Sequence, residues 1–187
     1  MGFLSKRKLN TMGFARLGKD VQISDKASFH GIERISIGDH SRIDDFAVLS
    51  AGAGGITIGR HVHIAVMCSL VGAEEITMED YSGLSSRVSI YSSGDDYGGG
   101  HLTNPTVPDE LRQVISLPVS IGKHCIIGAS AVLLPGTKLD IGVAVGALSL
   151  VKGHLESFMI YAGCPARPVK ERSKRLLELE RHLEGPL

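Results

Sequence analysis

Between Tyr91 and Pro118 the chain gathers side chains able to move a proton. The segment reads Ser92-Ser93-Gly94-Asp95-Asp96-Tyr97-Gly98-Gly99-Gly100-His101, then Asn104-Pro105, then Pro108-Asp109-Glu110-Leu111-Arg112. Adjacent carboxylates, a phenol, an imidazole and an amide are the groups of general acid–base catalysis and of hydroxyl binding. Three consecutive glycines allow the backbone to approach a ligand closely. Asp95, Asp96 and His101 are therefore candidate bases, and Asn104 and Tyr97 candidate substrate contacts. A structureless excursion of this length in a compact domain is either functional or disordered, and composition alone leaves both readings open.

The elements that must hold this segment follow a sixfold beat. Aliphatic residues recur at Ile121, Ile127, Leu133, Leu139, Val145 and Val151, and Cys125, Ala131, Thr137, Val143 and Ser149 stand four residues after the first five. A period of six matches neither a helix (3.6) nor simple strand alternation (2). It is the pattern of a hexapeptide β-helix, in which short strands wind into a prism and one residue per side points to the axis. Upstream the register runs through Ile37, Ile43 and Leu49 with Ser41, Ala47 and Ala53 in the small slots. It continues through Ile58, Ile64, Leu70, Met78, Leu84 and Ile90. Gly38, Gly59, Gly122, Gly128 and Gly146 each follow an inward aliphatic, where the prism turns and a Cβ is unwelcome. Extra residues at Gly52 to Gly55 and Ala73 to Glu75 lengthen corners.

One domain over residues 1–187 is the economical reading: an N-terminal segment 1–20, a β-helix 21–153 interrupted by the loop 91–118, and a C-terminal turn and helix 154–187. Twenty-three glycines and a mean hydropathy of +0.12 fit a turn-rich β protein. Twenty basic and twenty acidic residues cancel, so no overall field argues for nucleic acid or an anionic membrane. No apolar run is long enough to span a bilayer and no secretory h-region is present, which points to the cytoplasm. Cys68 and Cys125 occupy small inward slots and read as packing, and three cysteines make no disulfide framework. Pro168 to Leu183 is expected to form a helix that caps the open end of the prism, with Pro168 in its first turn and Gly185-Pro186 as its stop.

Three strings in order carry a resemblance. They are Ile127-Gly128-Ala129-Ser130-Ala131-Val132-Leu133-Leu134-Pro135-Gly136, then Val145-Gly146-Ala147, then Ala162-Gly163-Cys164-Pro165-Ala166-Arg167. With the hexads and the ejected loop, they resemble the hexapeptide-repeat acetyltransferases, closest to the maltose and galactoside O-acetyltransferase group. The resemblance spans roughly residues 20 to 172. It implies a left-handed parallel β-helix with a long ejected loop and a C-terminal α-helix, assembled as a homotrimer with active sites between neighbouring prisms. It also implies acetyl-CoA as co-substrate. The pantetheine would run along small residues at Ala129 and Ala147, with Lys152, Arg167 and Lys170 near the nucleotide end. Cations suit CoA phosphates, and a narrow tunnel admits only small walls.

The resemblance also exposes a departure. The family places a histidine just after a strand like Val88-Ser89-Ile90-Tyr91-Ser92-Ser93-Gly94, and ungapped extension puts Asp95 there. A carboxylate with an ordinary pKa of about 3.9 is a poor base for a sugar hydroxyl. Three rescues stand open. Burial beside Asp96 raises one carboxylate's pKa, because adjacent like charges disfavour double ionisation; His101 swings in from the enlarged loop; or the acceptor is an amine, which needs less help once neutral. His63, on the same coil as His61, is a further substrate-contact candidate, while His30, His40 and His124 read as exposed corner residues. His61-Val62-His63 is too tight for the zinc pattern of carbonic anhydrases of this fold, so no metal is expected.

The resulting expectation is an acetyl-CoA-dependent sugar O-acetyltransferase in surface-polysaccharide or nucleotide-sugar biosynthesis, working by direct transfer with a general base. The alternatives are an N-acetyltransferase acting on an amino sugar and a non-catalytic β-helix scaffold.

Overall fold

The structure is a computed structural model describing residues 2–185. Met1, Pro186 and Leu187 lie outside it, and with them half of the expected Gly185-Pro186 stop. Among the described residues the strands stack into three sheets of seven, eight and six strands, parallel except for the last strand of the eight, plus a two-stranded antiparallel hairpin. Successive strands of the chain go to different sheets: Ile35–Ile37 to face 1, Arg42–Ile43 to face 2, Val48–Ala51 to face 3, and Ile56–Ile58 back to face 1. This is the coiled prism expected from the hexads. Coils begin at Arg16–Leu17 and continue through Met159–Ala162, so stacking runs past residues 21 and 153.

The inward positions behave as the period requires. Ile37, Ile43, Leu49, Ile64, Leu70, Ile90, Ile121, Ile127, Leu133 and Val151 are fully buried. Each stacks on its equivalent one coil away, as in the pairings Ile43 with Ile64 and Leu133 with Val151. Each such side chain contributes about 1.5–3 kcal/mol by leaving water. Polar residues in the small slots are buried with a backbone partner. Ser41 Oγ donates to Gly59 O at 2.7 Å and Ser149 Oγ to Gly146 O at 2.8 Å. Burial pushes the Cys68 thiol up to about 11 and the Cys125 thiol up to about 12, so both are inert packing groups. Ala53 departs from the beat. It is exposed, because the Gly52-to-Gly55 corner is long enough to carry it off the axis.

Corners are made in two ways. Residues such as His40, His61, Tyr81 and His124 turn the chain between faces 1 and 2 at φ of 58°, 54°, 59° and 62°. The left-handed conformation costs about 1–2 kcal/mol per non-glycine residue and is held by the stacking of neighbouring coils. Glycines enter at a different position and for a steric reason. A Cβ on Gly128 would sit 2.4 Å from Ala147 N, inside the next coil's backbone.

The C-terminal segment differs from expectation. Pro168 lies in the strand Arg167–Glu171, antiparallel to Met159–Ala162 with an irregularity between Ile160 and Tyr161, and the helix begins only at Leu176. That strand and the Ala162-to-Ala166 turn close the end of the prism. After the short N-terminal helix α1 (Lys6–Asn10), the second helix α2 (Leu176–Glu184) instead lies along the prism's side. Glu180 pairs with Lys123 and with His124 Nε2 at 2.8 Å. Glu184 accepts from Tyr81 Oη at 2.7 Å and Arg60 Nη2 at 2.8 Å. The aromatic ladder beneath, His40–His61–Tyr81–His124, stacks at 4.9, 5.0 and 5.2 Å. His124 is thus buried, not an exposed corner. No helix among the described residues is long and apolar enough to cross a membrane.

Both carboxylates sit below their usual range. For Glu180, burial pushes upward, but the Lys123 and His124 hydrogen bonds outweigh it; for Glu184 the Tyr81 hydroxyl acts first and Arg60 second. A depressed folded-state pKa gives stability that is present above the unfolded value and lost as pH falls through the folded one. Glu180→Gln is expected to lower the melting temperature at pH 7, by about 2–4 °C per kcal/mol lost. The gap from wild type should close in acid, below about pH 4. A gap that stays constant across a calorimetric pH series contradicts the latch. Gly128→Ala should cost about 1–3 kcal/mol through backbone overlap, read from the same melts.

Candidate active site

The ejected loop is not structureless. Ser93–Asp95 pairs antiparallel with Val114–Ser116, Asp95 opposite Val114, and a turn of 3-10 helix spans Asp109–Leu111. The hairpin stands on Ser92, which is buried, donates to Glu74 O at 2.6 Å and accepts from Leu117 N at 3.0 Å. Asp95 is thereby placed on a hydrogen-bonded arm at the corner between faces 3 and 1. Beside it opens a cleft of about 470 Å³ lined by Tyr91, Ser93, Asp95, Tyr97, Ile115, Leu134, Pro135 and Lys152. Asp95, Tyr97 and Lys152, three residues singled out for different tasks, therefore share one cavity.

The other loop candidates serve the loop itself. Asp96 accepts from Gly98 N at 2.7 Å, Gly100 N at 3.0 Å and His101 Nδ1 at 3.2 Å. The Gly98 N–H first, and then His101, hold its carboxyl below the usual range. A carboxylate stabilised in its charged form is a weak base, so Asp96 serves the turn as an anion. His101 is tied to the same carboxylate and does not line the cleft. Asn104 spends its side-chain oxygen on Thr106 N at 3.0 Å, at a φ of 72°. Tyr97 is 99% exposed and projects from the loop.

The residues expected to hold CoA divide between two corners. Ala129 and Ala147 lie on the corner between faces 2 and 3, in one column with Ser86. Ser130 N donates to Ser86 O at 3.0 Å and Leu148 N to Ala129 O at 2.9 Å. The column is narrow, as a small-walled channel requires, and Leu148 stands 76% exposed beside it. Lys152 lies at the opposite end of the same strand, on the loop's corner. Arg167 and Lys170 are exposed on the last strand, and the turn before it docks on the final coil through Ala166 N to Leu150 O at 2.8 Å.

A second cleft, of about 630 Å³, lies on face 2 beneath α2, walled by His61, His63, Tyr81, Ser85, Ser86 and Arg172 among others. His63 Nε2 is 2.9 Å from Asp44 Oδ2, and Asp44 also accepts from Arg42 Nε at 2.7 Å. Asp44 is 5% exposed, and although burial pushes its pKa up, the bonds from Arg42 and His63 bring it below the ordinary value. The sequence marks His63 but hides Asp44, because the two are brought together only by coil stacking. Among the described residues no group of three or more acidic, histidine or cysteine ligands is arranged to hold a metal.

Comparison with known proteins agrees with this geometry. No family model matches the chain. It is 52% identical over 180 residues to the dTDP-4-amino-4,6-dideoxy-D-glucose acyltransferase of Escherichia coli, covering 96% of this chain and 94% of the relative. The chain belongs to the hexapeptide-repeat acyltransferases. AntD, an N-acyltransferase from Bacillus cereus solved in complex with dTDP and 3-hydroxybutyryl-CoA, superposes with a TM-score of 0.92 at 40% identity, over 97% of this chain and 96% of that one. A maltose O-acetyltransferase from Clostridium difficile shares the fold at a TM-score of 0.61 and 18% identity, over 90% of this chain and 75% of its own. The fold is the left-handed parallel β-helix of that family, and the protein is an acyltransferase, which sets aside the non-catalytic scaffold.

Asp96→Asn removes the charge that gathers Gly98, Gly100 and His101. Amide exchange over residues 96–101 should accelerate about tenfold or more, with exchange in the coils unchanged. Unaltered exchange in the loop would show that Asp96 does not organise it.

Proposed function

We propose that the protein transfers an acyl group from a coenzyme A thioester to the amine of a nucleotide-linked amino sugar. The observation that carries this reading is likeness over nearly the whole chain to an acyltransferase named for dTDP-4-amino-4,6-dideoxy-D-glucose. The N-acyltransferase AntD, solved with dTDP and a CoA thioester, supports it. The hydroxyl acceptor preferred from the maltose and galactoside likeness thus yields to the amine. The chemistry agrees: the loop offers Asp95 where the O-acetyl group carries histidine, and an amine attacks a thioester without the strong base a hydroxyl needs.

In this reading Asp95 meets the acceptor as a carboxylate that pairs with the incoming ammonium and orients it. The donor's pantetheine follows Ala129 and Ala147, with Lys152, Arg167 and Lys170 as cations for its phosphates. The column Ser86–Ala129–Ala147 and the Asp95 cleft lie on different corners of one prism. A site that uses both needs two protomers, which favours a homotrimer with shared clefts. Tyr97, projecting from the loop, would then reach a neighbouring prism.

Thiol release from acetyl-CoA should be fast with dTDP-4-amino-4,6-dideoxyglucose and about tenfold or more slower, in kcat/KM, with hydroxyl sugars such as maltose or galactosides. Asp95→Asn should lower kcat/KM for the amine about tenfold, chiefly through the acceptor's KM. Equal rates on both acceptor classes would remove the amine assignment, and an unchanged Asp95→Asn would remove the carboxylate's part.

A further inference from the structure

We propose that α2 is a strap: fixed at Arg172 and held down by Glu180 and Glu184, it opens by unwinding from the corner between faces 1 and 2 while the prism stays folded, and so governs access to the cleft on face 2. What enters the cleft rests on the amine reading above; the motion does not.

The strap and the wall it covers are built differently. α2 has nine residues, none of them buried, and its N-cap, Arg175, makes no side-chain hydrogen bond to the first turn. Isolated helices shorter than about 12–15 residues are marginal in water, so α2 is helical because the prism holds it. Leu176 and Leu177 are half-buried at its start, whereas Leu179 and Leu183 are 58% and 65% exposed. Apolar contact thus anchors the first turn only. The wall is fixed. His61, Tyr81 and His124 stack face to face at left-handed corners, and each backbone N–H is bonded to the coil before.

Beyond its first turn α2 is held by two carboxylates. Glu180 meets Lys123 and His124, and Glu184 meets Arg60 and Tyr81. They differ in depth: the Glu180 side chain is 10% exposed and that of Glu184 41%. Exposed pairs are screened by salt and hold weakly. Opening therefore starts at Glu184 and ends with Glu180. The fixed point is the other extreme. Arg172 Nη1 donates to the carbonyls of His124 at 2.8 Å, Gly142 at 3.0 Å and Val143 at 3.3 Å, and Arg172 N donates to Phe158 O at 2.7 Å. These bonds tie the chain to the last coils just before the helix.

Two cavities show what the strap covers. The cleft of about 630 Å³ on face 2 has Leu176 in its wall. A second cavity, of about 700 Å³, lies toward the other end of α2, with Arg60 on the prism and Arg181, Leu183 and Glu184 on the helix. His61 and Tyr81 line both, so the bond from Tyr81 to Glu184 sits at their shared wall. Releasing Glu184 joins the two into one trough along the aromatic ladder. Ser86, which stacks under Ala129 of the small-residue column, also lines the face 2 cleft. A strap here admits substrate when open and excludes water from the reacting groups when closed.

Hydrogen exchange on the intact enzyme tests the motion. Amides of residues 179–184 should exchange at least about a hundredfold faster than those of the buried strands, in a step that leaves the strands protected. Raising the salt from about 0.05 M to about 0.5 M should accelerate residues 182–184 about threefold to fivefold, and residues 179–180 less. Glu184→Gln should act on that same end, whereas Glu180→Gln should release the whole helix, by about tenfold or more. Carbethoxylation of His124, which is 8% exposed when the strap is closed, should follow the α2 exchange rates in all three proteins. With CoA and dTDP-4-amino-4,6-dideoxyglucose present, exchange of residues 179–184 should slow about fivefold or more. Exchange of α2 and the strands in one common step, or α2 rates indifferent to both substitutions, overturns the strap. Charge-sensitive exchange that the two ligands leave unchanged, in an enzyme that turns the amino sugar over, overturns its part in access. Absence of transfer to any amine, with α2 opening as described, instead sinks the amine reading and leaves the strap standing.

Discussion

Everything in this molecule depends on aliphatic side chains stacking on their own equivalents along one axis. A coil advances by a strand spacing of about 4.8 Å, so each inward residue must fit under the residue one turn later. Ile43 under Ile64 and Leu133 under Val151 satisfy this with full burial. The same constraint sets the corners. With the axis packed and the coils closed, residues such as His61 and Tyr81 are driven into left-handed geometry, and Gly128 is denied a side chain by the backbone above it.

A stack of coils has few places to put chemistry, because inward positions are spent on packing. Function is left with the outer faces, the corners and whatever the chain ejects. This protein places polar or small residues at all three. The loop hairpin carries Asp95 on two short paired strands, and Asp96 is the clasp of the glycine turn. The small-residue column at Ala129 and Ala147 makes one edge smooth. Face 2 supplies a polar cleft whose parts come from successive coils. In a prism, face 2 is opposite the corner that bears the loop.

The terminal helix shows how charge does what packing cannot. Its carboxylates Glu180 and Glu184 reach Lys123, His124, Arg60 and Tyr81, groups presented by consecutive corners of the prism. The helix therefore follows the prism's side and helps wall the face 2 cleft. Carboxylates at the middle and the C-terminal end of this short helix tie it to two places on the prism's side.

Reading Ile121 to Val151 at a period of six is enough to obtain the prism, the inward register and the burial of Cys68 and Cys125, because stacking makes each residue's environment a function of its place in the repeat. The ordered strings at Gly128, Gly146 and Ala162 likewise carried the acyltransferase family. What the period did not foresee lies where the repeat lapses: Ala53 in a lengthened corner, Pro168 in a strand, and the bond between Asp96 and His101 within the loop. Asp44 beside His63 was invisible for a related reason. Nineteen positions separate them along the chain, and only the closing of one full coil brings the carboxylate to the ring. Sequence determines what each coil contains; contact between coils, which is a property of the wound chain, decides which side chains become partners.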